Sequence, residues 1–429
     1  MLRCLVSHWQ KNDSLRLLHL NVGMLRLYSV DPDPAMIAKI VYFVHDLSDP
    51  SVHRRVRMLV AGGAAVTLIG FRRSAEAPNA VEGLRPIDLG QTADGMLGRR
   101  MLSVVGALVR LGGMAEHICH ANVILARNLE MLVLAIRAGK RYAPQATVVY
   151  ECLDIHRMLL SNRLHGRLFR SLESKLWRDV DLLLTSSPAF IRNYFAPRGF
   201  PLPIRLVENK VPMIGERETG APSVRPPPGP PWRIGWFGMI RSRKSFDILS
   251  SLARAADGGL DIVIRGRPSA AIFHDFEAAI TDLPHVHFAG PYRNPAELAA
   301  VYGDVHFNWA VEYYESGQNQ NSSWLLPNRI YEGSLYGSVP IASAAVETGR
   351  WLTKRGIGVV LDEPLEPKLI DFFQRLDHES YFKLVQTVEA LPRSELVSSR
   401  SECRELVEAL CRPSAHGGQV SSRRARLAS

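Results

Sequence analysis

The sequence predicts an α/β protein built as two doubly wound halves, and three observations carry that prediction. Short apolar runs alternate with stretches of helical spacing along most of the chain. One proline-rich segment breaks the alternation near the middle. The 429 residues are enough for two separate cores.

From Lys39 the pattern is regular. Ile40-Val41-Tyr42-Phe43-Val44 reads as a buried strand, and Ser51 to Ala61 as a helix that stops at Gly62-Gly63. Ala65 to Gly70 is the next strand, which completes a βαβ unit with a right-handed crossover in a parallel sheet. Further strands fit Val123–Ala126, Thr147–Glu151, Leu182–Ser186 and Arg205–Glu208, with helices over Leu129–Gly139, Arg163–Arg178 and Pro188–Phe195. Met96 to Gly112 has an apolar face opposed by Arg99 and Arg110, as either a core helix or an interfacial helix on anionic lipid requires.

Pro226-Pro227-Pro228-Gly229-Pro230-Pro231 is a stiff linker, taken with its flanks as 211–232. It separates an N-terminal half, 36–210, from a C-terminal half, 233–378. Strands then fit Trp232–Gly238, Asp261–Arg265, Val286–Phe288, Val305–Asn308, Val339–Ser343 and Gly358–Leu361. The helical stretch from about Ser380 to Cys411 is long enough to cross back to the first half. Residues 1–35 read as an extension without the layout of a signal peptide, and 413–429 as a disordered tail.

Lys and Arg number 52 against 42 Asp and Glu, a net charge of +10, so an anionic partner is expected. Nucleic acid is not favoured, because basic residues are scattered and no binding signature occurs. The five cysteines show no CxxC pair or metal-ligand spacing, so no metal is expected and a reducing compartment is. No apolar run approaches the roughly 18 residues of a membrane span.

Doubly wound halves bind ligands at the carboxyl ends of their strands. His45-Asp46-Leu47-Ser48 occupies the first such end, followed by Arg54, Arg55 and Arg57 at a helix start. Glu151-Cys152-Leu153-Asp154-Ile155-His156 occupies another. Asp154 suits a general base for an acceptor hydroxyl, or a helix N-cap, and His156 a proton or phosphate contact. In the second half, Gly238 allows a tight turn before Arg241, Arg243 and Lys244, cations able to neutralise a diphosphate. Tyr292 follows a later strand and could stack on a base. The polar loop holding Glu315, Gln318 and Asn319 would line a sugar pocket. Asn328 and Glu332, four apart, share one face of the helix that Pro327 opens, placing an amide and a carboxylate near a helix N-terminus.

With these loops placed, the chain resembles the GT-B glycosyltransferases, in particular the family-4-like bacterial group of exopolysaccharide assembly and its succinoglycan-type members. The carriers are Phe43-Val44-His45-Asp46 with Val52 to Leu59, Tyr150 to Asp154, and Gly238 with Lys244. The strongest is Pro327-Asn328-Arg329-Ile330-Tyr331-Glu332 running on to Gly337-Ser338-Val339-Pro340. The resemblance implies two Rossmann-like domains facing a cleft, with the C-terminal helix crossing back. It implies a nucleotide-diphospho-sugar donor, such as a UDP-sugar, on the C-terminal domain. Glu332 would match the ribose-holding glutamate, and Lys244 or Arg243 the diphosphate cation. The acceptor, a lipid-diphosphate-linked or growing glycan, would lie on the N-terminal domain near His45 and Arg54, without any metal or other cofactor.

Two departures stand out. The family's glutamates lie eight apart, but eight before Glu332 is Trp324, which leaves Glu312 or Glu315 for the first. The glycine-rich first loop is replaced by His45-Asp46-Leu47-Ser48, with Asp46 a second choice of base after Asp154. A cytoplasmic enzyme on the inner face of an anionic membrane is expected; an epimerase of the same architecture and a non-catalytic nucleotide-sugar-binding scaffold are the alternatives.

Overall fold

A computed structural model describes residues 37–92, 97–213, 225–313 and 320–412. The expected extension over 1–35, part of the linker, the polar loop with Glu315, Gln318 and Asn319, and the tail from 413 lie outside them.

The first half is a seven-stranded sheet. Its strands are β1 (Lys39–Val44), β2 (Ala65–Arg72), β3 (Ile87–Gln91), β4 (Val123–Arg127), β5 (Thr147–Cys152), β6 (Leu182–Thr185) and β7 (Ile204–Leu206). They lie in the order β3-β2-β1-β4-β5-β6-β7, all parallel. Parallel strands are covered on both faces, and their sequences show it. Val41 and Phe43 of β1 face a layer that includes α2 (Leu97–Arg110), α3 (Asn128–Tyr142) and α4 (Leu164–Leu176). Ile40, Tyr42 and Val44 face α1 (Pro50–Ala61). Asp49 caps α1 by accepting from the Ser51 amide at 2.8 Å, and Pro50 fills its first turn.

A second sheet follows, with β9 (Trp232–Ile240), β10 (Leu260–Pro268), β11 (Val286–Phe288), β12 (Phe307–Trp309), β13 (Val339–Ser343) and β14 (Val359–Leu361). Their order is β11-β10-β9-β12-β13-β14, again parallel. In both sheets the strand order reverses beside the first strand, between β1 and β4 and between β9 and β12. Ligand crevices of doubly wound folds open at such reversals. Helices α5 (Arg243–Ala255), α6 (Leu298–Gly303), α7 (Asn328–Leu335), α8 (Glu347–Arg355) and α9 (Leu365–Arg375) flank this sheet.

The chain then returns to the first half. The return helices expected over 379–412 are α10 (His378–Glu389) and α11 (Arg400–Cys411), separated by a turn after Pro392. There Val397 and Ser398 form a short strand, β15, paired with β8 (Val211–Pro212) in the segment between the halves. Proline lacks the amide that would continue the helix. Helix α11 starts on a capping box of Ser399 and Glu402. It buries Cys403, Leu406, Val407 and Leu410 against the first core, at roughly 2 kcal/mol for each fully buried leucine. Strand β3 is absent from the sequence reading, because Ile87-Asp88-Leu89-Gly90-Gln91 buries only Leu89 at a sheet edge.

Beneath the first crevice lies a buried ionic cluster. Glu151, fully buried at the end of β5, accepts from Arg55 Nε at 2.6 Å, from Arg127 Nε at 2.9 Å and from the Tyr42 hydroxyl. Burial alone pushes its carboxyl up, but the charges of Arg127 and Arg55 outweigh that and hold it at about 2. The folded value is below that of the unfolded chain, about 4.3. The stabilisation is therefore complete above that pH and is lost as pH falls toward the folded value. The urea midpoint is expected to fall between about pH 5 and about pH 3, and to fall less in Glu151→Gln. At neutral pH Arg127→Met removes one of two cations from a buried carboxylate and is expected to cost about 3–5 kcal/mol. An Arg127→Met protein as stable as the wild type would contradict this assignment.

Candidate functional site: a carboxylate shared across the cleft

Glu332 stands one helical turn into α7, whose first residue is Asn328. It is 2% exposed, and a charge so buried needs partners. Its Oε2 accepts from the Tyr302 hydroxyl of α6 at 2.9 Å. Its Oε1 accepts from Asn294 Nδ2 at 3.2 Å and from Arg54 Nη2 at 2.8 Å. Arg54 belongs to α1 of the first half and also donates to the carbonyls of Asn209 and Lys210. One carboxylate is thus held by both halves, through Arg54 of the first and Asn294 and Tyr302 of the second. Burial first, then Glu332, pushes the Tyr302 phenol well above its ordinary value, so it remains a proton donor. Tyr292 is raised for the same two reasons.

The other donor-side candidates fall at the second crevice. Gly238 has a φ of +100°, and β10 comes so close that a Cβ at Gly266 would lie 1.8 Å from the Gly238 carbonyl oxygen. The chain then turns to Arg241, whose guanidinium lies 3.6 Å from Glu312 just past β12. Glu312 also accepts from Arg329 Nη2 at 2.6 Å, so α7 and the β12 end share a second ion pair. Lys244 sits 3.9 Å over the Tyr313 ring and 3.4 Å from Glu363. Arg243 pairs with Asp247 one turn along the exposed side of α5. The Tyr292 ring meets Phe237 edge-on, with Arg265 beside it.

In the first half, Asp46 Oδ1 accepts from the Ser48 amide and hydroxyl at 3.0 and 2.7 Å, and Oδ2 pairs with Arg73 at 3.2 Å. His45 lies 3.7 Å from Asp49 and 3.4 Å from Asn128 Nδ2, and burial lowers its pKa, which favours the neutral imidazole. Asp154 and His156 are exposed on the loop after β5. The helix N-cap, the alternative reading of Asp154, is supplied by His156, which accepts from the Met158 amide at 3.3 Å. Glu151, expected to face the cleft from the same strand end, is instead turned inward. Arg55 and Arg57, at the helix start after the first loop, pair with Glu151 and Glu82.

Trp324 stands where the resemblance requires a glutamate. It joins the two halves: its carbonyl accepts from the Ser187 hydroxyl, and its ring meets Phe190 edge-on at 6.4 Å. Sequence reasoning missed Tyr302, and it placed Asn294 only as the last residue of the Tyr292 loop, without a role of its own. Neither sits in a motif, and the only signal was their place on segments flanking a strand end. Among the described residues no helix is long and apolar enough to span a membrane.

No family model matches the chain. It is 45% identical over 376 residues to the succinoglycan biosynthesis protein ExoL of Rhizobium meliloti (strain 1021), covering 87% of this chain and 93% of that protein. Its fold superposes on sucrose-phosphate synthase from Thermosynechococcus elongatus with a TM-score of 0.59 at 15% identity, covering 91% of this chain and all of that one. It superposes equally, TM-score 0.59 at 13% identity, on Anabaena HepE in complex with UDP-glucose, covering 86% and 98% of the two chains. The chain belongs to the family of the succinoglycan biosynthesis protein ExoL and has the two-domain GT-B fold.

Proposed function

We propose that the protein transfers a sugar from a UDP-sugar to a lipid-linked or growing glycan acceptor during exopolysaccharide assembly at an anionic membrane surface. The observation that carries this reading is the Glu332 carboxylate, buried at the start of α7 beside the second crevice. A carboxylate offers about four acceptor positions. Arg54, Asn294 and Tyr302 use three of them. A ribose hydroxyl takes the fourth, and the N-terminal end of α7, with Asn328, favours the neighbouring phosphate. Arg241 and Lys244 offset the charge of the diphosphate as the glycosidic bond to UDP breaks. The fold shared with a UDP-glucose complex and the kinship with a succinoglycan biosynthesis protein support this reading.

On the opposite wall, Asp154 takes the proton of the acceptor hydroxyl as its oxygen attacks the anomeric carbon. Asp154 suits the role better than Asp46, because Asp154 is exposed to an acceptor while Asp46 is only 4% exposed.

Two outcomes test this. Glu332→Ala should weaken UDP binding by about tenfold to a hundredfold, the worth of a charge-assisted hydrogen bond, as read by calorimetry on folded protein. Unchanged affinity would leave Glu332 a purely structural residue. Asp154→Asn should lower UDP release in the presence of lipid-linked acceptor by about 10²–10⁴-fold while donor affinity persists. Full turnover by that variant would remove Asp154 from the chemistry.

A further inference from the structure

Helix α4 carries an apolar stripe that none of the described residues covers. Leu164, Leu168 and Leu172, spaced four apart, are 82%, 70% and 38% exposed. Beside them, still on the outward side, stand the exposed cations Arg163, Arg167 and Lys175. The helix has one acidic residue, Glu173. It is fully buried on the inner side, bound by Arg198 and by the hydroxyls of Tyr150 and Tyr194. The outward face therefore combines leucine with positive charge and no negative charge.

This face is rigidly joined to the acceptor loop. Arg170 donates to the carbonyls of Leu159 and Ser161 at 2.7 and 2.6 Å. Gly166 lets α4 approach so closely that a Cβ there would meet the Ser161 carbonyl oxygen at 2.0 Å. The turn held in this way, Arg157–Leu160, directly follows Asp154 and His156. The N-terminal end of α4, with Leu164, is thus tied to the segment that leads to the proposed base.

We propose that α4 is the membrane-docking surface, resting on an anionic bilayer with Leu164 and Leu168 inserted at the headgroup level. An amphipathic helix with an apolar strip and a cationic flank, free of acids, is complementary to anionic lipid. A protein partner of ordinary composition would be met by mixed charge. The site differs from the helix that the sequence singled out. Helix α2 buries Val104 and Ala107 in the core, and its Arg110 is spent on the carbonyls of Leu89 and Gly106. Docking through α4 presents the Asp154 loop to the bilayer, where a lipid-linked acceptor is held. Only this last step rests on the proposed function.

The test is co-sedimentation of the full chain with phosphatidylglycerol and with phosphatidylcholine vesicles, beside a UDP thermal-shift measurement on the same samples. Wild type should bind the anionic vesicles, and added salt should release it. Leu164→Ser/Leu168→Ser should weaken that binding by about tenfold or more. Arg163→Ser/Arg167→Ser should weaken it by about fivefold per cation. Both variants should keep the wild-type UDP shift, which shows that they are folded. The proposal is overturned if the leucine variant binds vesicles as wild type does. It is also overturned if the wild type binds neither vesicle and forms a dimer that the leucine variant abolishes, since a second copy then covers α4. A wild type that binds vesicles but shows no UDP shift would contradict the donor reading and leave the docking surface standing.

Discussion

A carboxylate buried to 2% cannot stay charged without partners, and Glu332 takes its strongest one from the other half of the protein. Arg54 reaches across from α1, while its second set of donors holds the backbone at Asn209 and Lys210. Much else follows from that demand. Helix α1 must be fixed, and Asp49 and Pro50 start it at a defined place. Helix α7 must start beside the second crevice. Trp324 and Ser187, and Arg192 with Glu347 at 2.7 Å, add contacts between the halves. Removing one partner of such a buried pair costs about 3–5 kcal/mol, mostly as the penalty on the charge left behind. The cleft therefore has a defined geometry around a group suited to a nucleotide.

A second buried carboxylate plays the matching part in the first half. Glu151 gathers Arg55, Arg127 and Tyr42 from three neighbouring elements, directly under the point where the strand order reverses. This cluster stiffens the floor from which His45, Asp46 and Asp154 rise. Helix α1 serves both clusters, since Arg54 and Arg55 are adjacent and point to different carboxylates. A change in one cluster should be felt in the other through α1, although the sheets are separate.

Much of the fold was legible because parallel strands must be apolar on both faces. Ile40–Val44, Val148–Glu151 and Val339–Ser343 announce themselves as unbroken buried runs. Strand β3 was not legible, because an edge strand with one buried side chain carries no such signal. Nor was the break between α10 and α11, where helical spacing continues on both sides of Pro392. In the site, Glu332 and Asn328 were visible from their spacing on one helix. The Arg54 partner was not, since 278 residues separate it from Glu332. The arginines after the first loop read as ligand contacts because sequence shows their charge and hides the carboxylates that Arg55 and Arg57 meet. Trp324 was legible as a departure, and its reason, a contact between halves, needed the structure.

The central claim is that Glu332, while held by Arg54, is the group that receives the nucleotide. A crystal structure of the protein with UDP tests it most directly. A ribose hydroxyl is expected within about 2.5–3.0 Å of a Glu332 oxygen, with the diphosphate turned toward Arg241 and Lys244. UDP seated elsewhere, with Glu332 touching only Arg54, Asn294 and Tyr302, would contradict it.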